Sequence, residues 1–144
     1  MKREQKERIE IRMGSDSHNE AFARAVTAAF LTRLDPTVEE TEDIKTAVSE
    51  AVSNAVLHGY DGGAGEILLI LEADGAEITV RIVDRGIGIA DVAKAREPLY
   101  TTKPTEDRSG MGFYFMEAFM ETVEVESEPG KGTTVTMKKT IGRR

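Results

Sequence analysis

The 144-residue chain contains no cysteine. That one absence excludes disulfide staples, thiolate nucleophiles and Cys-ligated zinc together, and it fits a reducing, cytoplasmic setting. No apolar run approaches the length of a membrane-spanning helix. The opening MKREQKERIE is charged and carries no apolar core of the kind a secretory signal needs. Positive charge is in the minority, with 19 Lys and Arg against 26 Asp and Glu and a net charge of -7. Nonspecific nucleic-acid binding needs a basic surface, so direct nucleic-acid contact and a membrane are both outside expectation. A basic protein partner or a local phosphate site stays open. The P-loop pattern GxxxxGK[ST] is missing, as are the HRD and DFG signatures of eukaryotic-type kinases. Repeats, low-complexity tracts and linkers are missing too, so one domain over residues 1–144 is expected.

What is present describes an ordinary globule, 40% apolar and 31% charged. Ile9, Ile11 and Met13 alternate with polar residues, which predicts a first strand. Ser15, Asp16 and Ser17 offer N-caps for a helix that places Phe22, Ala25, Val26, Ala29 and Phe30 at helical spacing and runs to about Leu34, where Asp35-Pro36 ends it. Thr37 or Thr41 starts the next helix, with Gly59 placed for a left-handed stop. The runs EILLILEA and EITVRIVD read as a hairpin about Asp74-Gly75. A polar stretch from Ala95 to Arg108 reads as a loop, and SGMGF opens a short helix ending near Met120. ETVEVES and GTTVTMKK flank a turn at Pro129–Gly132. The order β-α-α-β-β-loop-α-β-β predicts an α+β two-layer sandwich: a mixed, mostly antiparallel sheet covered on one face by helices.

Three stretches place polar or glycine residues where packing would not ask for them. In AVSEAVSNAVLHGY, Glu50, Asn54 and His58 fall at i, i+4 and i+8, on one stripe of a helix that otherwise reads as core. A carboxylate there can take a proton or position a nucleophile, and an amide oxygen is a hard ligand suited to Mg²⁺. The plain alternative is an exposed helix edge, with Glu50 solvated and Asn54 bonded to backbone. In DRGIGI, directly after a strand, Gly86 and Gly88 allow a tight turn and close approach to a ligand. Asp84 at the strand end can accept a hydrogen bond from an amino group such as that of adenine, or simply hold a turn. In RSGMGF, Gly110 and Gly112 sit in a first helical turn, where each costs roughly 1 kcal/mol against Ala. Exposed N–H groups and the helix dipole make that turn an anion site, within reach of Arg108. The alternative is a helix capped by Ser109 with glycines for close packing. Neither glycine pair opens a βαβ unit, so a dinucleotide site of the Rossmann type is not expected.

Taken in order, ExxxN on a helix, DxGxG after a strand, a loop and a GxG helix start resemble the Bergerat-type ATP site shared by gyrase B subunits, Hsp90 chaperones, histidine kinases and MutL. NEAFAR, IKTAVSEAVSNAVLHGY, DRGIGI, EPLYTTKP, RSGMGF and GTTV make the chain similar, from about Ile9 to Lys139, to the anti-sigma-F factors of sporulating bacteria, a family of serine protein kinases. The resemblance implies MgATP as cofactor and ADP as product. It implies Glu50 as general base, Asn54 as ligand of the Mg²⁺ carried by ATP, and Asp84 as reader of the adenine amine, with Gly86 and Gly88 shaping the pocket and Thr134 supporting the adenine end. Residues 100–104 would form a lid over the nucleotide, with Thr102 and Lys103 as contacts. Arg108, Ser109, Gly110, Met111 and Gly112 would lie against the phosphates.

By the same resemblance the protein binds and inhibits a sporulation sigma factor as a homodimer and phosphorylates a serine of an anti-anti-sigma protein. Arg24, in NEAFAR, would contact partners, though as a residue it reads equally as helix surface. Two alternatives carry the same site: the general-stress anti-sigma kinase, and a nucleotide-gated sigma binder without phosphotransfer. An ATP-driven clamp of the gyrase or MutL kind is disfavoured, because the length is not expected to leave room for a transducer. His18 beside an N-cap and His58 beside a glycine stop read as structural or exposed. Two distant histidines form no zinc set.

Overall fold

A computed structural model describes residues 6–59, 65–86 and 112–142. Within them the chain runs β1 (Glu7–Gly14), α1 (His18–Leu31), α2 (Val38–Asn54), β2 (Glu66–Asp74), β3 (Glu77–Asp84), α3 (Gly112–Phe119), β4 (Thr122–Glu128) and β5 (Gly132–Thr140). The five strands form one sheet in the order β1-β2-β3-β5-β4, and every pairing among them is antiparallel. The expected α+β two-layer sandwich is therefore present, without a parallel pair among the described strands.

Alternation along the strands decides which side chains meet the helices, because successive residues of a strand point to opposite faces. Ile67, Leu69, Leu71 and Ala73 of β2 pair with Asp84, Ile82, Val80 and Ile78 of β3, and all eight are buried. On β5 the same face carries Thr133, Val135 and Met137. Against it lie Ala23, Phe30 and Leu31 of α1, Ile44, Ala47, Val48, Ala51 and Val52 of α2, and Phe113 and Met116 of α3. The opposite face is polar and charged at its β1 side. There Glu72 accepts hydrogen bonds from Arg8 at 2.9 Å and from Arg81. Partial burial pushes the Glu72 carboxyl up, but the bonds from the two guanidiniums outweigh it and hold it below its ordinary value.

Local chemistry sets the element ends. α1 begins beside Asp16, whose carboxylate accepts the His18 backbone N–H at 2.8 Å and contacts the His18 ring nitrogen at the same distance. α1 stops at Leu31 and tightens into a 3-10 turn over Thr32–Leu34, before Asp35 takes a left-handed φ of 53°. Of the two threonines able to start α2, Thr37 does so. Its hydroxyl accepts from Glu40 N at 3.0 Å while Glu40 accepts from Thr37 N at 2.9 Å, a full capping box. Glu40 also accepts the Gly142 backbone N–H at 2.9 Å, tying the chain after β5 to the start of α2. At its other end α2 does not run straight to a glycine stop: after Asn54 it loosens into a π turn, Ala55–Gly59. Gly75 opens the two-residue β2–β3 turn at φ 59°, the positive value that a II′ hairpin needs at its first central position.

The capping box makes Thr37 a stability residue. Thr37→Ala should lower the unfolding free energy by about 1 kcal/mol, as lost helix caps do. Urea denaturation read by circular dichroism would show the shift, and an unchanged midpoint would show that the cap is energetically idle.

Candidate functional site

The groups of interest lie on α2, whose closing π turn packs against β3 and β5, and on those two strands. Glu50 and Asn54 lie one turn apart on α2, both half-buried, and Asn54 is the last residue before the π turn. The π turn packs against β3 and β5. A π turn departs from α geometry and recurs where helices carry functional groups. α3 packs on α2, and its C-terminal carbonyl at Phe119 accepts from Lys139 Nζ at 2.7 Å, with Asp43 of α2 3.8 Å from the same ammonium. A cation at a helix C-terminus complements the dipole. Gly112, expected near the phosphates, is the first residue of α3.

Asp84 ends β3 on the helix-covered face and is only 6% exposed. One of its carboxylate oxygens accepts the Gly86 N–H at 2.9 Å, and the Thr133 backbone N–H also donates to the carboxylate. Burial raises the Asp84 pKa above its ordinary value, and the two backbone bonds oppose that rise without cancelling it. An ionised carboxylate offers about four acceptor positions. Two backbone donors therefore leave capacity for an incoming N–H, which is the chemistry that reading an exocyclic amine requires. The Gly86 N–H is one of the two donors that orient Asp84.

β5 reaches this corner through Gly132, at φ 98°. A Cβ there would lie 2.1 Å from the Asp84 carbonyl oxygen and 2.6 Å from the Arg85 Cα. Only glycine permits that approach, on both sterics and backbone conformation. The register separates the two threonines that follow. Thr134, expected at the adenine end, pairs with Val83 and Glu126 and projects from the opposite face of the sheet. Thr133 pairs with Asp84 and shares its face, and its hydroxyl lies 2.8 Å from Ser127 Oγ, which also donates to the Gly132 carbonyl at 2.9 Å. With a side-chain period of two, a one-residue difference reverses the face. Tandem threonines in GTTV hide this choice, and counting the register from Asp84 reveals it. Gly132 and Thr133 are thus the residues that the register brings to Asp84, and motif reading did not single them out.

The remaining candidates lie on α1 or outside the described residues. Arg24 is half-buried on α1. Gly88, Thr102, Lys103, Arg108, Ser109, Gly110 and Met111, with the expected lid at 100–104, lie outside the described residues. His18 is highly exposed against Asp16, and His58 falls within the π turn. For a magnesium ion carried by a nucleotide, the donor chemistry at the end of α2 fits. A single amide oxygen at Asn54 suffices where phosphates and water complete the octahedron.

A two-layer fold with this polar corner defines a class, and comparison with known proteins agrees. The family model described as the histidine kinase-like ATPase domain matches residues 14–139. A solved structure of the RsbU and RsbW domains of a Mycobacterium tuberculosis protein superposes with a TM-score of 0.68 at 21% identity, covering 96% of this chain and 33% of that longer one. The histidine kinase domain of an Erythrobacter litoralis blue-light activated kinase superposes at 0.57 and 18% identity, over 85% of this chain and 60% of that one. Both likenesses concern the fold. Nearer in sequence, the anti-sigma F factor of Thermoanaerobacter sp. (strain X514) is 53% identical over 134 residues, 93% of this chain and 94% of that protein. That of Clostridium acetobutylicum is 49% identical over 132 residues, 92% of each. The chain belongs to the anti-sigma F factor family of histidine kinase-like ATPase domains.

The raised Asp84 pKa has a definite sign in stability. A carboxyl whose pKa is higher folded than unfolded stabilises the fold fully below its unfolded value, and that contribution fades as pH rises through the folded value. The stability of the wild type relative to Asp84→Asn should therefore be greatest at acid pH and decline toward neutrality. Denaturation of both proteins across pH 3 to 7 checks this, and a difference that grows with pH would contradict it.

Proposed function

We propose that this protein is an ATP-dependent serine protein kinase and anti-sigma factor. It holds a sporulation sigma factor inactive and transfers phosphate from MgATP to a serine of an anti-anti-sigma protein, releasing ADP. The observation that supports the reading most is Asp84, buried at the end of β3 and held by backbone donors from Gly86 and Thr133, with acceptor capacity left for an amine. Relatives named anti-sigma F factor, about half identical over nearly the whole chain, support the sigma-directed role. It acts in the cytoplasm as a homodimer, and no described helix is long and apolar enough to cross a membrane.

Each group then has a task. Asp84 accepts the adenine amine in the acceptor capacity left by its backbone donors. Thr133 takes the hydroxyl role at that end, and Gly86 and Gly88 shape the turn. Asn54 offers its amide oxygen to the Mg²⁺ that accompanies ATP and neutralises phosphate charge. Arg108, with Thr102, Lys103 and the turn Ser109–Gly112, complements the phosphates. Glu50 accepts the proton of the substrate serine while the serine oxygen bonds to the γ-phosphorus and the bond to ADP breaks. Transfer of this kind is governed by positioning and charge, which suits a site with few reactive groups. Arg24 contacts protein partners from α1.

With labelled MgATP and the anti-anti-sigma protein, the wild type should place label on a partner serine. Glu50→Gln should reduce transfer by about 10²-fold or more while ATP binding stays near normal, the signature of a lost general base. Equal loss of both would remove Glu50 from that role, and absence of label from the wild type would favour the nucleotide-gated binder. Arg24→Ala should leave ATP affinity intact and weaken sigma capture in a pull-down or titration. Unchanged partner affinities would return Arg24 to ordinary surface.

A further inference from the structure

On the side of α2 facing α1 there is a polar contact that the proposed chemistry does not use. Glu20, in the first turn of α1, points its half-buried carboxylate at α2 and accepts hydrogen bonds from two hydroxyls. One oxygen takes Ser49 Oγ, and the other takes Ser53 Oγ at 3.0 Å. Ser49 and Ser53 immediately precede Glu50 and Asn54. Each pair spans one turn, so the serine stripe and the functional stripe run side by side, about 100° apart around the helix.

We infer that Glu20 is a positioning residue: by clamping Ser49 and Ser53 it sets the rotation and height of the α2 turn that presents Glu50 and Asn54. The inference rests on the phosphotransfer reading above, which supplies the task those two residues perform. Its physical basis is directionality. The core that α1 and α2 share joins Ala23, Ala47 and Ala51 with the larger Phe30, Leu31, Ile44, Val48 and Val52. Their burial sets which face of α2 turns inward, but hydrophobic attraction is itself non-directional. A carboxylate that engages two hydroxyls one turn apart is directional on both axes. If α2 rolls, both bonds lengthen; if it slides, one is lost. Hydrogen bonds to a charged acceptor are the stronger kind, and partial burial strengthens them further. The α-helical backbone then transmits the constraint one residue along, with no intermediate contact required. The π turn that follows Asn54 makes such an anchor useful, since regular α-helical bonding no longer fixes the helix beyond that point.

The test compares three variants at a temperature where circular dichroism shows each folded. Glu20→Ala removes the clamp. Glu20→Gln keeps one acceptor and supplies a donor to the other hydroxyl, which can turn to accept, so the two-point contact survives. Ser49→Ala with Ser53→Ala removes the clamp from the α2 side and carries the test if Glu20→Ala does not fold. Single-turnover phosphotransfer at saturating MgATP and partner should fall about tenfold in Glu20→Ala, the scale expected when a catalytic group is displaced by a fraction of an ångström. The ATP dissociation constant should stay within about threefold, and Glu20→Gln should transfer within about threefold of wild type. Combining Glu20→Ala with the serine pair should add nothing further, because both break one device. A wild-type rate in Glu20→Ala, a Glu20→Gln as impaired as the alanine, or additive losses would each overturn the inference. If the wild type itself transfers no phosphate, the kinase reading has failed, and the side-chain amide resonances of Asn54 then decide the clamp. They should move in Glu20→Ala and return in Glu20→Gln, and unmoved resonances would sink it.

Discussion

At the end of β3 the backbone of β5 comes so close that a Cβ on Gly132 would sit 2.1 Å from the Asp84 carbonyl oxygen. That contact pins the antiparallel register between the two strands, and the register assigns every residue near the corner to a face. Asp84 and Thr133 consequently look toward the helices, while Val83 and Thr134 look away. The hydrophobic layer and the polar corner obey the same alternation: Ile82, Val80 and Ile78 build the core, and the next inward residue on β3 is Asp84. The site is a continuation of the core at the point where the apolar residues run out.

Holding polar groups at that boundary has a free-energy cost, and the structure offsets it locally. Asp84 is desolvated, which raises its pKa, and two backbone N–H groups from Gly86 and Thr133 offset part of the penalty. Glu20 meets two serines, and Lys139 meets the Phe119 carbonyl with Asp43 beside it. Among the described residues no buried side-chain nitrogen or oxygen lacks a hydrogen-bond partner. Apart from the local Asp84–Gly86 bond, each of these contacts joins two elements, so the polar groups of the helix layer also tie α1 to α2 and α3 to the sheet.

Much of this was legible in one dimension. Alternating Ile9, Ile11 and Met13 marked β1, and the runs after Gly65 marked the hairpin of β2 and β3. The polar stripe of Glu50 and Asn54 stood out because helix periodicity otherwise placed apolar residues on that segment. The choice between Thr37 and Thr41 can be read there too, since Glu40 stands three residues after Thr37, as a capping box requires, whereas Ile44 stands there for Thr41. The π turn at Ala55–Gly59 was hidden, because a glycine at the end of a periodic run reads more simply as a stop.

From the sequence alone came the fold class, the order of its elements, the Glu50–Asn54 and Asp84–Gly86 constellations and the family resemblance. The first three follow from periodicity and spacing, which are properties of neighbours along the chain; the resemblance rests on the motifs themselves, matched to a known family. The tertiary structure decided that Thr133 rather than Thr134 faces Asp84, that Gly132 must be glycine, and that Glu20 reaches Ser49 and Ser53 from another helix. Those facts depend on register and on contacts between residues tens of positions apart. No local pattern encodes them, because they arise only when strands pair and helices dock.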